Sequence, residues 1–79
     1  MTEEEALKWI AELFDESADN IKPETPRDDI RVWDSLGVLT LMADLDEKFG
    51  LVLSDDDMQA MAKVDDILAV LRKNDKIQA

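Results

Sequence analysis

Apolar residues recur at helical spacing through most of this 79-residue chain, and that period confines it to an all-α fold. Leu7, Ile10, Ala11 and Phe14 form a first stripe, and Thr2 with Glu5 has the spacing of a capping box ahead of it. A helix is expected over residues 3–16, with Trp9 and Leu13 beside the stripe and Trp9 partly covered. A second helix is expected over residues 35–49, stopped by Gly50. At about 100° per residue, its Val38, Leu41, Met42, Leu45 and Phe49 share the core face. Ser54 and Asp57 have the spacing of another helix start, which predicts a short helix over residues 55–61. Val64 reads as a hydrophobic staple and Asp65 as the N-cap of a last helix. Ile67, Leu68, Val70 and Leu71 form the inner side of that helix. Arg72 and Lys73 suit its C-terminal dipole, and Asn74 closes it. Leu51-Val52-Leu53 could be a strand by periodicity but has no partner strand, so it reads as a buried connector. Residues 75–79 are expected to fray. The sum is a small four-helix bundle, three main helices and one short one.

The helical period fails over residues 17–32, where Pro23 and Pro26 remove backbone donors and favour extended geometry before them. A loop this long in a small domain is unusual unless it packs or serves a function. Ile21, Ile30, Val32 and Trp33 are its expected anchors. A floppy linker between two domains is excluded, because neither flank could fold alone; the chain reads as one domain, 1–79.

Composition narrows the function classes. There is no cysteine, hence no disulfide or thiolate metal site. There is no histidine, which removes the commonest general base and the usual partner of a nucleophilic serine. A serine here is therefore acted upon, and the chain is read as no enzyme. Nine Lys and Arg against 20 Asp and Glu give a formal charge of −11. That charge repels nucleic acid and anionic membranes and attracts basic protein surfaces. No apolar run approaches the length of a membrane span. Thr2-Glu3-Glu4-Glu5 lacks the basic start of a signal peptide. A soluble, cytoplasmic monomer is expected. A calcium loop beginning at Asp55 would need Gly at its sixth place and Glu at its twelfth, and Ala60 and Asp66 stand there. No metal site is expected.

The informative stretch is Trp33-Asp34-Ser35-Leu36-Gly37, at the start of the second helix. The first amides of a helix lack internal partners and sit at the positive end of its dipole, so Ser35 stands at a ready place for a phosphate. Alternatively Asp34 or Ser35 is only an N-cap. Leu36, Leu39 and Ala43 fall on a second sector of the helical wheel, apart from the core face. Exposure is expected for Leu36 and Leu39, while the short helix or the long loop could cover Ala43.

Asp34-Ser35-Leu36, the closing Glu47-Lys48-Phe49-Gly50 and the later Lys63-Val64-Asp65-Asp66-Ile67 together resemble an acyl carrier protein, and the resemblance covers nearly the whole chain. It implies that Ser35 carries 4′-phosphopantetheine through a phosphodiester, with Asp34 as its acidic neighbour, and that the thiol of the arm holds acyl groups as thioesters. It implies a phosphopantetheinyl transferase as a partner, working with its own magnesium, and acyl-loading and acyl-transfer enzymes with basic docking patches. The second helix would be the recognition helix, with Leu36, Leu39, Ala43, Asp44 and Glu47 as partner-binding residues. Met42 and Met61 suit a lining for sheltered cargo, and core packing explains them equally well. Fatty-acid carriers usually have an acidic residue directly after Asp-Ser-Leu and another three positions on; here Gly37 and Thr40 stand there. Those departures, with Trp33 before Asp34, resemble specialised stand-alone carriers, including D-alanyl carriers. Two other classes stay open: an acidic helical adaptor with no prosthetic group, and a small hydrolase built on Ser35.

Overall fold

Local capping chemistry sets where the helices begin. The computed structural model describes residues 1–77, and among them are four α-helices. In α1 (Glu3–Leu13) the Thr2 hydroxyl accepts from the Glu5 N–H at 3.1 Å. The Glu5 carboxylate accepts from the Thr2 N–H at 2.9 Å, completing the box. The backbone donor of Thr2, then its hydroxyl, hold the Glu5 carboxyl below its usual range. α2 (Ser35–Phe49) opens on Asp34, and α3 (Asp55–Gln59) on Ser54, whose hydroxyl accepts from the Asp57 N–H.

Several ends lie elsewhere than the sequence suggests. α1 stops at Leu13, short of residue 16. Asp15 takes a left-handed φ of 53°, and the Glu16 N–H turns back to the Ala11 carbonyl at 2.8 Å. α3 stops at Gln59, short of residue 61. α4 (Val64–Lys73) includes Val64 and Asp65, so Asp65 is not its N-cap. Its first amides are satisfied from a distance: the Val64 N–H donates to the Thr25 carbonyl (3.0 Å) and the Asp65 N–H to the Pro23 carbonyl (2.8 Å). Asp66 accepts from the Ala62 N–H at 2.7 Å.

The same bonds fix the long loop. An antiparallel bridge joins Pro26 to Lys63, and the Arg27 N–H donates to the Ala62 carbonyl at 2.8 Å. Two 3₁₀ turns, Ala18–Asn20 and Arg27–Asp29, take up the slack between anchors. Ile21, Ile30 and Trp33 are buried as expected, but Val32 is 38% exposed, because its side chain faces outward while its carbonyl faces α2.

One apolar cluster forms the core, with Ile10, Phe14, Leu41, Leu45, Met58, Ile67 and Leu71 essentially sealed. Met42 and Phe49 pack only at its edge, as half-buried residues. Trp9 is buried rather than partly covered; it meets Phe49 edge-on at 5.1 Å, and its indole N–H donates to Asp44. The 51–53 link is not a buried connector throughout. Leu51 and Leu53 pack against the core, while Val52 between them is 84% exposed, as the extended backbone alternates its side chains. Residues 75–77 are held rather than frayed: the Asp75 N–H bonds to the Arg72 carbonyl, the Lys76 N–H to Leu71, and the N-terminal amine of Met1 to the Lys76 carbonyl. The remainder of that predicted tail, residues 78–79, lies outside the described residues. The radius of gyration of 11.3 Å is what a close-packed chain of this length gives, about 12 Å.

Candidate functional site at the start of the second helix

Asp34 has extended backbone geometry, and a single carboxylate oxygen accepts from both the Leu36 and the Gly37 N–H groups at 3.1 Å. Its own carbonyl accepts from the Val38 N–H at 2.9 Å. The expectation of amides open to a phosphate therefore needs correction. Two of those donors are already satisfied by a carboxylate that also answers the helix dipole. Of the alternative caps, Asp34 is the one used. Ser35 is then the first residue of α2, exposed, with its hydroxyl outside the cap.

The ground beneath Ser35 is rigid. Trp33 is buried and stacks on Phe14 with ring centroids 5.2 Å apart and planes 20° from parallel. The Arg27 guanidinium lies 5.6 Å above the Trp33 ring, and its Nε donates to the Trp33 carbonyl at 3.2 Å. Among the described residues, the buried side-chain nitrogen or oxygen atom lacking a hydrogen-bond partner is Trp33 Nε1. Gly37 completes the seat. A Cβ there would fall 2.0 Å from the Val32 carbonyl oxygen, so the helix can approach the loop only as glycine. Reading the sequence for chemistry missed this role of Gly37 and the part of Arg27. A glycine in the first turn of a helix is itself a signal of close backbone approach.

The remaining candidates divide. Leu36 (72% exposed) and Leu39 (60%) lie open, as does Ala43. Thr40 is exposed, with its hydroxyl donated back to the Leu36 carbonyl at 3.1 Å. Glu47 is exposed, but Asp44 is half-buried and engaged by Trp9, which makes it a clasp between α1 and α2. A small groove of about 160 Å³ beside Ser35 is lined by Leu13, Val32, Leu36 and Thr40, among others. A separate cleft of about 460 Å³ lies on the α3–α4 side, where Leu51, Leu53, Met61 and Val70 line it. No helix among the described residues is long and apolar enough to cross a membrane.

No protein-family model matches the chain. The chain is similar to the acyl carrier protein of Nitratidesulfovibrio vulgaris (strain DSM 19637 / Miyazaki F), with 34% identity over 70 residues that span 89% of this chain and 92% of that protein. The acyl carrier proteins of Nitratidesulfovibrio vulgaris strains DP4 and Hildenborough are each 35% identical over 66 residues, covering 84% of this chain and 87% of theirs. With that identity over nearly its whole length, and with an all-helical fold, the chain belongs to the acyl carrier protein family.

Proposed function

We propose that this chain is a carrier on which the Ser35 hydroxyl takes 4′-phosphopantetheine from coenzyme A. The observation that carries this reading is Ser35 itself, exposed at the first position of α2 within Asp34-Ser35-Leu36, on a rigid seat. The residues fit a group that must be attached and then swing free. Asp34 fixes the turn that presents the serine, Trp33 and Gly37 anchor that turn, and nothing buries the hydroxyl's residue. The group, when bound, supplies a thiol that holds acyl intermediates as thioesters. The chain supplies presentation and recognition, and the chemistry belongs to its partners: a phosphopantetheinyl transferase, then enzymes that load and transfer acyl groups in fatty-acid, polyketide or related synthesis. The charge of −11 steers partners with basic surfaces toward it. The first turn of α2 has no acidic residue, and that feature favours an aminoacyl or other specialised cargo as the second reading.

The test is intact mass after incubation with coenzyme A and a broad-specificity phosphopantetheinyl transferase. One phosphopantetheine should be added to the parent chain and none to Ser35→Ala, with circular dichroism unchanged. Modification at Ser17 or Ser54 instead would refute the assignment.

A further inference from the structure

Arg27 is half-buried, and it is followed directly by Asp28 and Asp29. It pairs with neither: among the described residues the ion pairs are those of Arg72. In a chain with 20 acidic residues, its guanidinium instead lies over the Trp33 ring and its Nε donates to the Trp33 carbonyl. That carbonyl belongs to the residue before the N-cap of α2. The first amides of the helix bond to Asp34, Leu36 and Gly37 to its carboxylate and Val38 to its carbonyl. The Trp33 carbonyl therefore takes its partner from a side chain six residues back. The backbone of Arg27 is itself fixed. Its N–H donates to the Ala62 carbonyl at 2.8 Å, and Pro26 beside it bridges to Lys63 at the start of α4. The side chain is thus a strut between the start of α4 and the turn that carries Ser35. Stacking on an indole while donating in the guanidinium plane is a task for arginine, not lysine.

Building on the carrier reading, we propose that Arg27 is a positioning residue for the loading of Ser35, acting through the Trp33 carbonyl to hold the turn that presents the serine hydroxyl. In that transfer the Ser35 oxygen forms the new P–O bond, adenosine 3′,5′-bisphosphate leaves, and the serine proton passes to a base of the transferase. Arg27 takes no part in that exchange. Its part is to keep the Ser35 oxygen in line, where a misplacement of about 1 Å is enough to slow such a step. Trp33 stays buried against Phe14 without Arg27, so the fold has its anchor while the turn loses its brace.

The experiment compares Arg27→Met with the parent in two readouts. The first is amide hydrogen exchange of the unloaded chain at Gly37 and Val38, against Leu68 and Leu71 in the core of α4. The second is kcat and KM for transfer from coenzyme A by a broad-specificity phosphopantetheinyl transferase. Exchange should quicken about fivefold or more at Gly37 and Val38 and stay near the parent's at Leu68 and Leu71. The kcat should fall about tenfold with KM for the carrier little changed. Arg31→Met removes the same charge from an exposed residue outside these contacts, and should match the parent in both readouts. Where Arg27→Met does not fold, Arg27→Lys takes its place, since it keeps the charge but cannot both stack and donate. Exchange that quickens equally at all four amides, or a parent-like kcat, would overturn the positioning role and leave the carrier reading standing. An equal loss of kcat in Arg31→Met would overturn it too, in favour of charge alone. Failure of the parent chain itself to gain mass would overturn both.

Discussion

A glycine in the first turn of a helix costs about 1 kcal/mol against alanine, so Gly37 needs a local cause, and the Val32 carbonyl supplies it. The atom that an added Cβ would meet is backbone, held between the buried residues Ile30 and Trp33, and cannot swing aside. Two effects oppose each other in Gly37→Ala: better helix propensity, and overpacking that typically costs about 1–3 kcal/mol. Overpacking wins at a contact of 2.0 Å. We predict a net loss of about 1–2 kcal/mol by urea unfolding, where the same change on an open helix face would stabilise. From sequence, Gly37 reads as a departure pointing to a class of cargo. In the structure it has a packing cause inside the chain that is independent of cargo. Asp44 shows the same limit of reading residues singly. The resemblance implies that it meets partners, and the indole that engages one of its carboxylate oxygens lies in α1, a pairing no local pattern announces.

Among whole elements, the starts of α1, α2 and α3 and the ends of α2 and α4 were legible, while the ends of α1 and α3 and the start of α4 were not. Starts on Thr2, Asp34 and Ser54 are signalled by side chains within three residues of the amides they satisfy. The end at Gly50 was legible too, because glycine at a φ of 65° is the common terminator. α1 and the tail after α4 instead turn on aspartates, Asp15 and Asp75, with φ of 53° and 59°, and aspartate gives no such signal. The start of α4 was misplaced because carbonyls of Thr25 and Pro23 do the capping. A left-handed residue with a Cβ costs about 1–2 kcal/mol, and glycine loses about 0.5–1 kcal/mol in entropy. The difference favours glycine, so Asp15→Gly should raise stability by about 0.5–1 kcal/mol in urea titration. The Glu5 box has its own signature. Because the folded-state pKa of Glu5 is lowered, its contribution is present above the ordinary glutamate range and is lost as pH falls through the lowered value. Thr2→Ala should remove that component of the acid limb of a melting-temperature profile.

For the molecule as a whole, twenty carboxylates on so small a body are largely unanswered. Among the described residues the ion pairs are those of Arg72, with Asp65 and Glu3, both solvent-exposed and so of little worth. Self-repulsion should therefore respond to screening. Raising sodium chloride from about 20 mM to 500 mM should recover roughly 1 kcal/mol and lift the melting temperature by about 4–8 °C. A melting temperature indifferent to salt would mean the charges are already well spaced. The bundle class was legible because helical period alone decides it. The outward turn of Val32 and of Val52 was not, because which side of an extended segment faces the core depends on what packs against it. The four aromatic rings are divided between the two ends of α2: Phe14 beneath Trp33 at the serine, Phe49 against Trp9 at the far end. One indole nitrogen has no partner in an apolar seat, and the other donates to a carboxylate. The chain thus carries two intrinsic fluorophores in unlike surroundings, and the first should emit at shorter wavelength than the second. If Ser35 carries the arm as proposed, Trp9→Phe leaves a lone emitter two residues from it, able to follow loading in real time without any label.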